Sequence, residues 1–254
     1  MFLGISLLVV GEKSAKPLKN FFDSLNDVVL KMVDLIMLSA PFAVFALLAN
    51  VVVSSGDPEL LYALLFYSGV VAGGLLLMVC FYLILITVIS KRNPLWFLKE
   101  ISPAQLLAFS TSSSAATLPV TMECTTKRVG VSSKISSFTL PLGATLNMDG
   151  TALFECVVVI FLAQFFGIEM GWVTQFSVVL LALLTSVGVA GIPSASLVAI
   201  LVILQAVGFD DHAIATGVGM IYVVDRILDM SRTMINVLGD SCAAAIIGKS
   251  EGEN

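Results

Sequence analysis

Residues 225–240, DRILDMSRTMINVLGD, set Asp225, Asp229, Arg232, Asn236 and Asp240 at spacings of 4, 3, 4 and 4 within an otherwise apolar segment. At ~100° per helical residue these five positions fall within an arc of roughly 80°, so one helix carries three carboxylates, a guanidinium and an amide along a single stripe. Such a stripe cannot face hydrocarbon; it must line a site, a cavity or an ion pathway.

Whether that helix lies in a membrane is decided by composition. Hydrophobic residues make up 58% of the 254 and charged residues 12%, with a mean hydropathy of +1.02. A water-facing domain needs a more charged surface than this. Residues 35–53 run for 19 positions without a charge and residues 60–90 for 31. Each run is long enough to cross about 30 Å of hydrocarbon. The expected class is an all-α integral membrane protein, sited by its basic loops in the cytoplasmic membrane as a multi-pass chain in contact with the bilayer. The net charge of −5 says little about partners in such a chain, where the placement of lysine and arginine matters instead; no nucleic acid is expected as a partner. Cys80, Cys124, Cys156 and Cys242 have no metal-ligand spacing and are expected to be small buried residues.

Taken in order, residues 1–10 are apolar but too short to span and read as the tail of a helix whose beginning is absent. Lys13, Lys16 and Lys19 follow, with a helix start expected at Pro17. Residues 20–34 form an amphipathic lead-in, and residues 35–53 a first span with Pro41 as a kink. The turn SSGDPE at 54–59 has no basic residue, and residues 60–90 cross back to Lys91, Arg92 and Lys99. The lysine and arginine bias puts residues 13–19 and 91–99 on the cytoplasmic side and the turn outside.

Residues 101–128 differ in kind. Ser110, Thr111, Ser112, Ser113, Ser114 and Thr117 supply six hydroxyls in eight residues before Pro119, and both ends are basic. The pattern suits a re-entrant hairpin entered and left from the cytoplasm, with a serine-lined packing helix as the alternative. Residues 133–167 form a crossing interrupted around Gly143–Thr151, where Asn147, Asp149 and Gly150 favour a broken helix with freed polar backbone. Residues 173–208 repeat the hairpin from the outside, with a glycine- and proline-rich centre at 186–196. Residues 212–249 return to the cytoplasm as the polar helix, His212 being an exposed helix start. One half thus has a hairpin from inside and a broken span, the other a hairpin from outside and a polar span. This inverted repeat with interrupted helices is the architecture of secondary transporters; a channel is the rival reading.

Four motifs in this order, TSSSAATLP at 111–119, NMDGTAL at 147–153, GIP at 191–193 and DxxRTxxNVxGD at 229–240, closely resemble the dicarboxylate/amino acid:cation symporter family of glutamate and aspartate transporters. The chain lies along that family's C-terminal portion. The resemblance implies a transport protein and no enzyme, with residues 1–95 as residual scaffold helices, incomplete at the N-terminus and including part of the transport domain, and residues 96–254 as the transport domain. It implies an acidic amino acid held between the two hairpin tips: Asp229 on the ammonium, Arg232 with Thr151 and Thr233 at the side-chain carboxylate, Asn236 with Ser113 and Ser114 at the backbone carboxylate. It further implies one sodium site at Asp240, Asn236, Asn147 and the carbonyl of Gly143, part of another at Asp149 and Asn147, and a third at carbonyls of residues 186–191. No cofactor is implied; the coupling ion is sodium, with protons open because the same carboxylates serve both.

An unpaired guanidinium facing a cavity requires an anion, so glutamate or aspartate is expected over a neutral amino acid. C4-dicarboxylates remain the rival, although they leave Asp229 without an ammonium, and family carriers for them place a glutamate where this chain has Ala115 and Ala116. Acidic amino acid carriers of the family keep a further arginine at positions that are here Thr111 and Met230. Arg226 is the nearest substitute, expected as a supporting partner of Asp225. The family's additional preceding segments complete the scaffold of a homotrimer and part of one sodium site, so a truncated, non-transporting fragment is the other alternative.

Overall fold

The computed structural model describes residues 2–39, 42, 45, 46, 49, 58–189 and 191–252, and every regular element among them is helical. The chain divides into two compact units, residues 1–47 and 48–254. In the first, α1 (Phe2–Val10) and α2 (Glu12–Met37) meet at Gly11. The second helix starts at Glu12 and not at the expected Pro17, which lies inside it. Pro17 is its sixth residue, where a proline forgoes the bond to the Lys13 carbonyl and crowds that oxygen, a local cost the helix carries. The expected span at 35–53 with Pro41 and the turn at 54–59 lie largely outside the described residues.

The second unit opens with α3 (Pro58–Leu85), which widens into a π turn at Ile86–Ser90. Leu64, Tyr67, Val71, Leu75, Tyr82 and Ile86 are buried along one stripe, while Leu65, Phe66, Leu76, Leu77, Phe81 and Ile84 are exposed on the rest. Spacings of three and four residues explain the inner stripe. An outer face this apolar marks a contact surface for protein or for lipid. This helix and the stretch 133–165 are the two among the described residues long and apolar enough to cross a bilayer. Cys80 falls on the outer face and is exposed, against the expectation of burial; Cys124 and Cys242 are buried and Cys156 is half-buried.

The serine-rich region forms α4 (Pro94–Thr111) and α5 (Ser114–Glu123), followed by a π turn at Cys124–Arg128. The first arm begins seven residues before the expected residue 101, because Asn93 accepts hydrogen bonds from Leu95 N at 2.9 Å and Trp96 N at 3.2 Å with Pro94 as the first helical residue. That cap and proline form a strong start signal. The arms are separated by Ser112, at φ 52°, and by Ser113, whose hydroxyl accepts from Ala116 N at 3.1 Å and starts α5.

Helices α6 (Ser133–Leu146) and α7 (Asp149–Phe165) are divided by Asn147 and Met148. Helices α8 (Trp172–Gly188) and α9 (Ser196–Val207) flank the irregular residues around the GIP motif. Last comes α10 (Asp211–Ser250), 40 residues long and capped by Asp210 on Ala213 N at 2.7 Å. His212 is exposed at its first turn, as expected.

Helix α10 is the axis of the unit, packed by α3, α4, α5, α6, α7 and α9. Its Ile221, Leu228, Ile235 and Leu238 join Phe154, Val158 and Leu162 of α7 and Ile200 and Ile203 of α9 in one core. Lipid tails are as apolar as leucine, so close packing and satisfied polar groups hold such helices together rather than removal of surface from water. That rule turns attention to the polar stripe, which sits inside the packing.

Candidate functional site

Asp225, Asp229, Arg232, Asn236 and Asp240 are each 4% exposed or less, so the whole stripe faces protein. Arg232 donates through Nε and Nη2 to Oδ1 of Asp229, at 3.1 and 2.7 Å. Its Nη1 stands 3.1 Å from Oδ1 of Asp225, an ion pair by distance that lies off the hydrogen-bonding direction. The Phe154 ring of α7 packs under the guanidinium, 3.9 Å from its carbon. Two sequence expectations fail here. The arginine is not unpaired, and Asp225 is held by Arg232 and not by Arg226. Residues seven apart return to the same helix face within about 20°, whereas adjacent residues diverge by about 100°; Nη1 of Arg226 is buried with no hydrogen-bond partner.

The loop between α8 and α9 covers the acid pair. Ser194, at φ 57°, donates its N–H to Oδ2 of Asp229 at 3.0 Å, and its hydroxyl donates to Oδ2 of Asp225 at 3.4 Å. Across the site, the Ser113 hydroxyl donates to the carbonyl of Gly191 at 2.6 Å, joining the two loop tips. Between the tips and α10 lies a small cavity of about 20 Å³, whose lining includes Ser112, Ser114, Thr151, Asp229, Arg232 and Asn236. Asn236 accepts from Gly150 N at 2.8 Å and donates to Thr151 Oγ1 at 3.2 Å, so the start of α7 is fixed to α10 beside the cavity.

About one turn beyond Asn236 along α10, a second cluster forms. Asn147 donates to Oδ1 of Asp240 at 3.0 Å, and the Cα of Gly143 lies directly against the Asp240 carboxylate, leaving no room for a β-carbon. Oδ2 of Asp149 accepts from the Tyr82 hydroxyl, and its Oδ1 is buried without a partner. Neither carboxylate has a basic partner among the described residues. Buried carboxylates without a counter-ion are costly, and oxygen donors around them suit a hard cation.

The sequence model of the sodium:dicarboxylate symporter family matches residues 1–250 of this chain. The chain belongs to that family. It is similar to excitatory amino acid transporter 5 of Homo sapiens, with 41% identity over 247 residues, covering 96% of this chain and 43% of that protein. Human excitatory amino acid transporter 2 is 40% identical over 251 residues, 96% of this chain and 42% of the relative. An excitatory amino acid transporter of Caenorhabditis elegans is 39% identical over 247 residues, 96% and 48% of the respective chains. The chain spans less than half the length of these curated relatives.

The residues that the symporter motifs single out fall into two groups. Ser114, Thr151, Asp229, Arg232, Thr233 and Asn236 border the cavity. Gly143, Asn147, Asp149 and Asp240 gather in the second cluster. Asn236, named for both, hydrogen-bonds on the cavity side, to Gly150, Thr151 and Met148. Ser113 is committed to Ala116 N and Gly191 O, so its hydroxyl acts in closing the tips. In the 186–191 segment the carbonyls of Ser186 and Gly191 already accept from Val189 N and the Ser113 hydroxyl.

Three buried polar side chains escaped the motif reading. Glu155 of α7 is fully buried and accepts from Thr185 Oγ1 of α8 at 2.8 Å; a glutamate inside an apolar span was a usable signal. Tyr67, 1% exposed with its hydroxyl unpartnered, and Tyr82 come from α3, where a tyrosine in an apolar run carries no such signal.

Ser113→Ala removes a helix cap and the bond between tips at once. Each is worth about 1 kcal/mol, so amide exchange across residues 186–196 should accelerate about fivefold or more. Unchanged exchange there would show that the Ser113–Gly191 bond does not hold the tips together.

Proposed function

We propose that this chain carries the transport core of a cation-coupled symporter that moves glutamate or aspartate across the cytoplasmic membrane by alternating access. In this reading α4 and α5 form a re-entrant hairpin from the cytoplasmic side, α8 and α9 one from the outside, and α6 and α7 a single broken span. Residues 96–254 form the transport domain, joined by α3, and the preceding residues belong to the scaffold of a homotrimer. Topology follows the distribution of lysine and arginine.

The observation that carries the substrate reading is the internal pairing of Arg232. Asp225, Asp229 and Arg232 together bear a formal charge of −1. An acidic amino acid brings an ammonium and two carboxylates, so it can exchange partners with every member. Its ammonium takes Asp229 from Ser194 and Arg232. Its distal carboxylate takes the freed guanidinium fork, which is built for bidentate contact. Thr151 and Thr233 assist at that carboxylate, and Asn236 with the Ser113–Ser114 turn takes the remaining one. A neutral amino acid releases Asp229 without replacing the arginine's partner, and a C4-dicarboxylate adds an anion where carboxylates already outnumber the cation. The coupling ion is sodium, with one site of oxygen donors at Asp240, Asn236, Asn147 and the Gly143 carbonyl and part of another at Asp149 and Asn147.

Binding of labelled aspartate, glutamate, serine and succinate, with sodium or with choline as the only cation, tests this. Aspartate or glutamate should bind at least tenfold more tightly than serine or succinate, and only with sodium. Succinate binding as tightly as aspartate would overturn the substrate reading, and sodium-independent binding the coupling.

A further inference from the structure

The Tyr82 hydroxyl reaches from α3 to Oδ2 of Asp149 on α7, in a side chain that is 7% exposed. No motif points to this residue, yet it ends in the cluster of Asn147, Asp149 and Asp240. A β-carbon on Gly239 would stand 2.6 Å from Tyr82 Oη and 2.7 Å from Asn147 Nδ2. The phenol and the amide therefore close on bare α10 backbone one residue before Asp240. The turn of α3 that bears the phenol is tied to the same stretch, since the Cys242 thiol donates to the Tyr82 carbonyl at 3.7 Å.

The donor set is incomplete for carboxylates alone. Among the described residues no group of three or more His, Cys, Asp or Glu side chains assembles, so a cation here needs neutral oxygens beside Asp149 and Asp240. A phenolic hydroxyl has one proton and two acceptor lone pairs. Tyr82 can keep its proton on Oδ2 of Asp149 and turn a lone pair toward a cation held by the unpartnered Oδ1. Its oxygen is then fixed from both sides, by the carboxylate it donates to and by the α10 backbone it touches.

Resting on the reading of the chain as a cation-coupled symporter, we propose that Tyr82 is a ligand of the coupling cation. Its hydroxyl oxygen joins Asp149 and Asn147 in a monovalent-cation cage beside the Asp240 site, and its rigid placement sets which alkali ion that cage accepts. Gly239 is the counterpart of this role, because any side chain there expels the phenol.

The test is a titration of aspartate binding with sodium chloride and with lithium chloride, on the protein in lipid and on its Tyr82→Phe and Gly239→Ala variants. Loss of even an outer-shell partner at a metal site weakens affinity about ten- to a hundredfold, so Tyr82→Phe should raise half-activating sodium about tenfold or more. It should also change the lithium-to-sodium ratio at least threefold, which loss of packing alone would not do. Gly239→Ala should shift both in the same direction, and it carries the test if Tyr82→Phe does not fold. A sodium response and lithium ratio within twofold of native in a folded variant overturns the proposal. If Asp149→Asn abolishes the sodium response while Tyr82→Phe retains it, Tyr82 is excluded and symport stands. If the native protein binds aspartate equally without sodium, the symport reading fails and this proposal with it.

Discussion

Arg232→Ala should abolish acidic amino acid binding. The guanidinium is 1% exposed, bonded to Asp229, paired with Asp225 and packed on Phe154. Truncating one partner of a buried, hydrogen-bonded charge pair costs about 2–5 kcal/mol, which is about thirty- to several-thousand-fold in affinity. Removing the arginine also leaves two buried carboxylates facing each other, a fault worth about 3–5 kcal/mol of stability. Binding loss and misfolding must therefore be separated. Arg232→Lys keeps the charge and loses the planar fork, so it should fold with much smaller loss of stability and still bind aspartate at least tenfold more weakly. Isothermal titration on monodisperse protein, with a thermal melt of each variant, reads both effects. Affinity within threefold of native in folded Arg232→Ala would remove the arginine from the site.

Asp240→Asn makes the second large prediction, and its two readouts have opposite signs. The carboxylate is 3% exposed, takes one hydrogen bond from Asn147 and has no basic partner among the described residues. Neutralising it removes one of the two formal charges available to a coupling cation. Sodium activation of aspartate binding should weaken by about tenfold or more, or vanish. Without sodium the same variant should be as stable as the native protein or more so, because an uncompensated buried charge has been replaced by an amide of the same shape. A melt in choline buffer and a sodium titration decide the matter. A destabilised variant with an unchanged sodium response would mean that Asp240 serves packing alone.

Much of this arrangement was legible from residue order. The 4, 3, 4, 4 spacing of polar residues at 225–240 is a local property of one helix, and it placed the buried stripe of α10. Helix breaks were legible for the same reason, since the Asn147–Met148 interruption and the irregular residues around Gly191–Pro193 depend on nearby residue types. The start of α4 was misjudged although Asn93 and Pro94 signalled it, because the basic residues beside them were read as the edge of a span.

What order could not show is who pairs with whom. Arg232 had three acidic candidates and a cavity to choose from, and only the helix phase together with the Phe154 platform selects Asp225 and Asp229. Tyr82 and Asp149 are 67 residues apart, and Ser194 and Asp229 are 35 apart. Nothing near any of them in sequence announces the contact. The left-handed backbone of Ser194 is likewise a product of the loop meeting the acid pair, at a residue type that seldom adopts it.

The self-paired arginine also bears on speed. A guanidinium left bare in a dry cavity would grip the first carboxylate to arrive and release it slowly, since departure would have to regenerate an unsolvated charge. Here departure is met by Asp229 and the Ser194 amide swinging back onto partners they already fit. On the proposed function, cargo would enter and leave by substitution. Much of the energy of the new contacts is offset by contacts given up, and the difference is left small enough for a carrier to let go on the far side as readily as it takes hold.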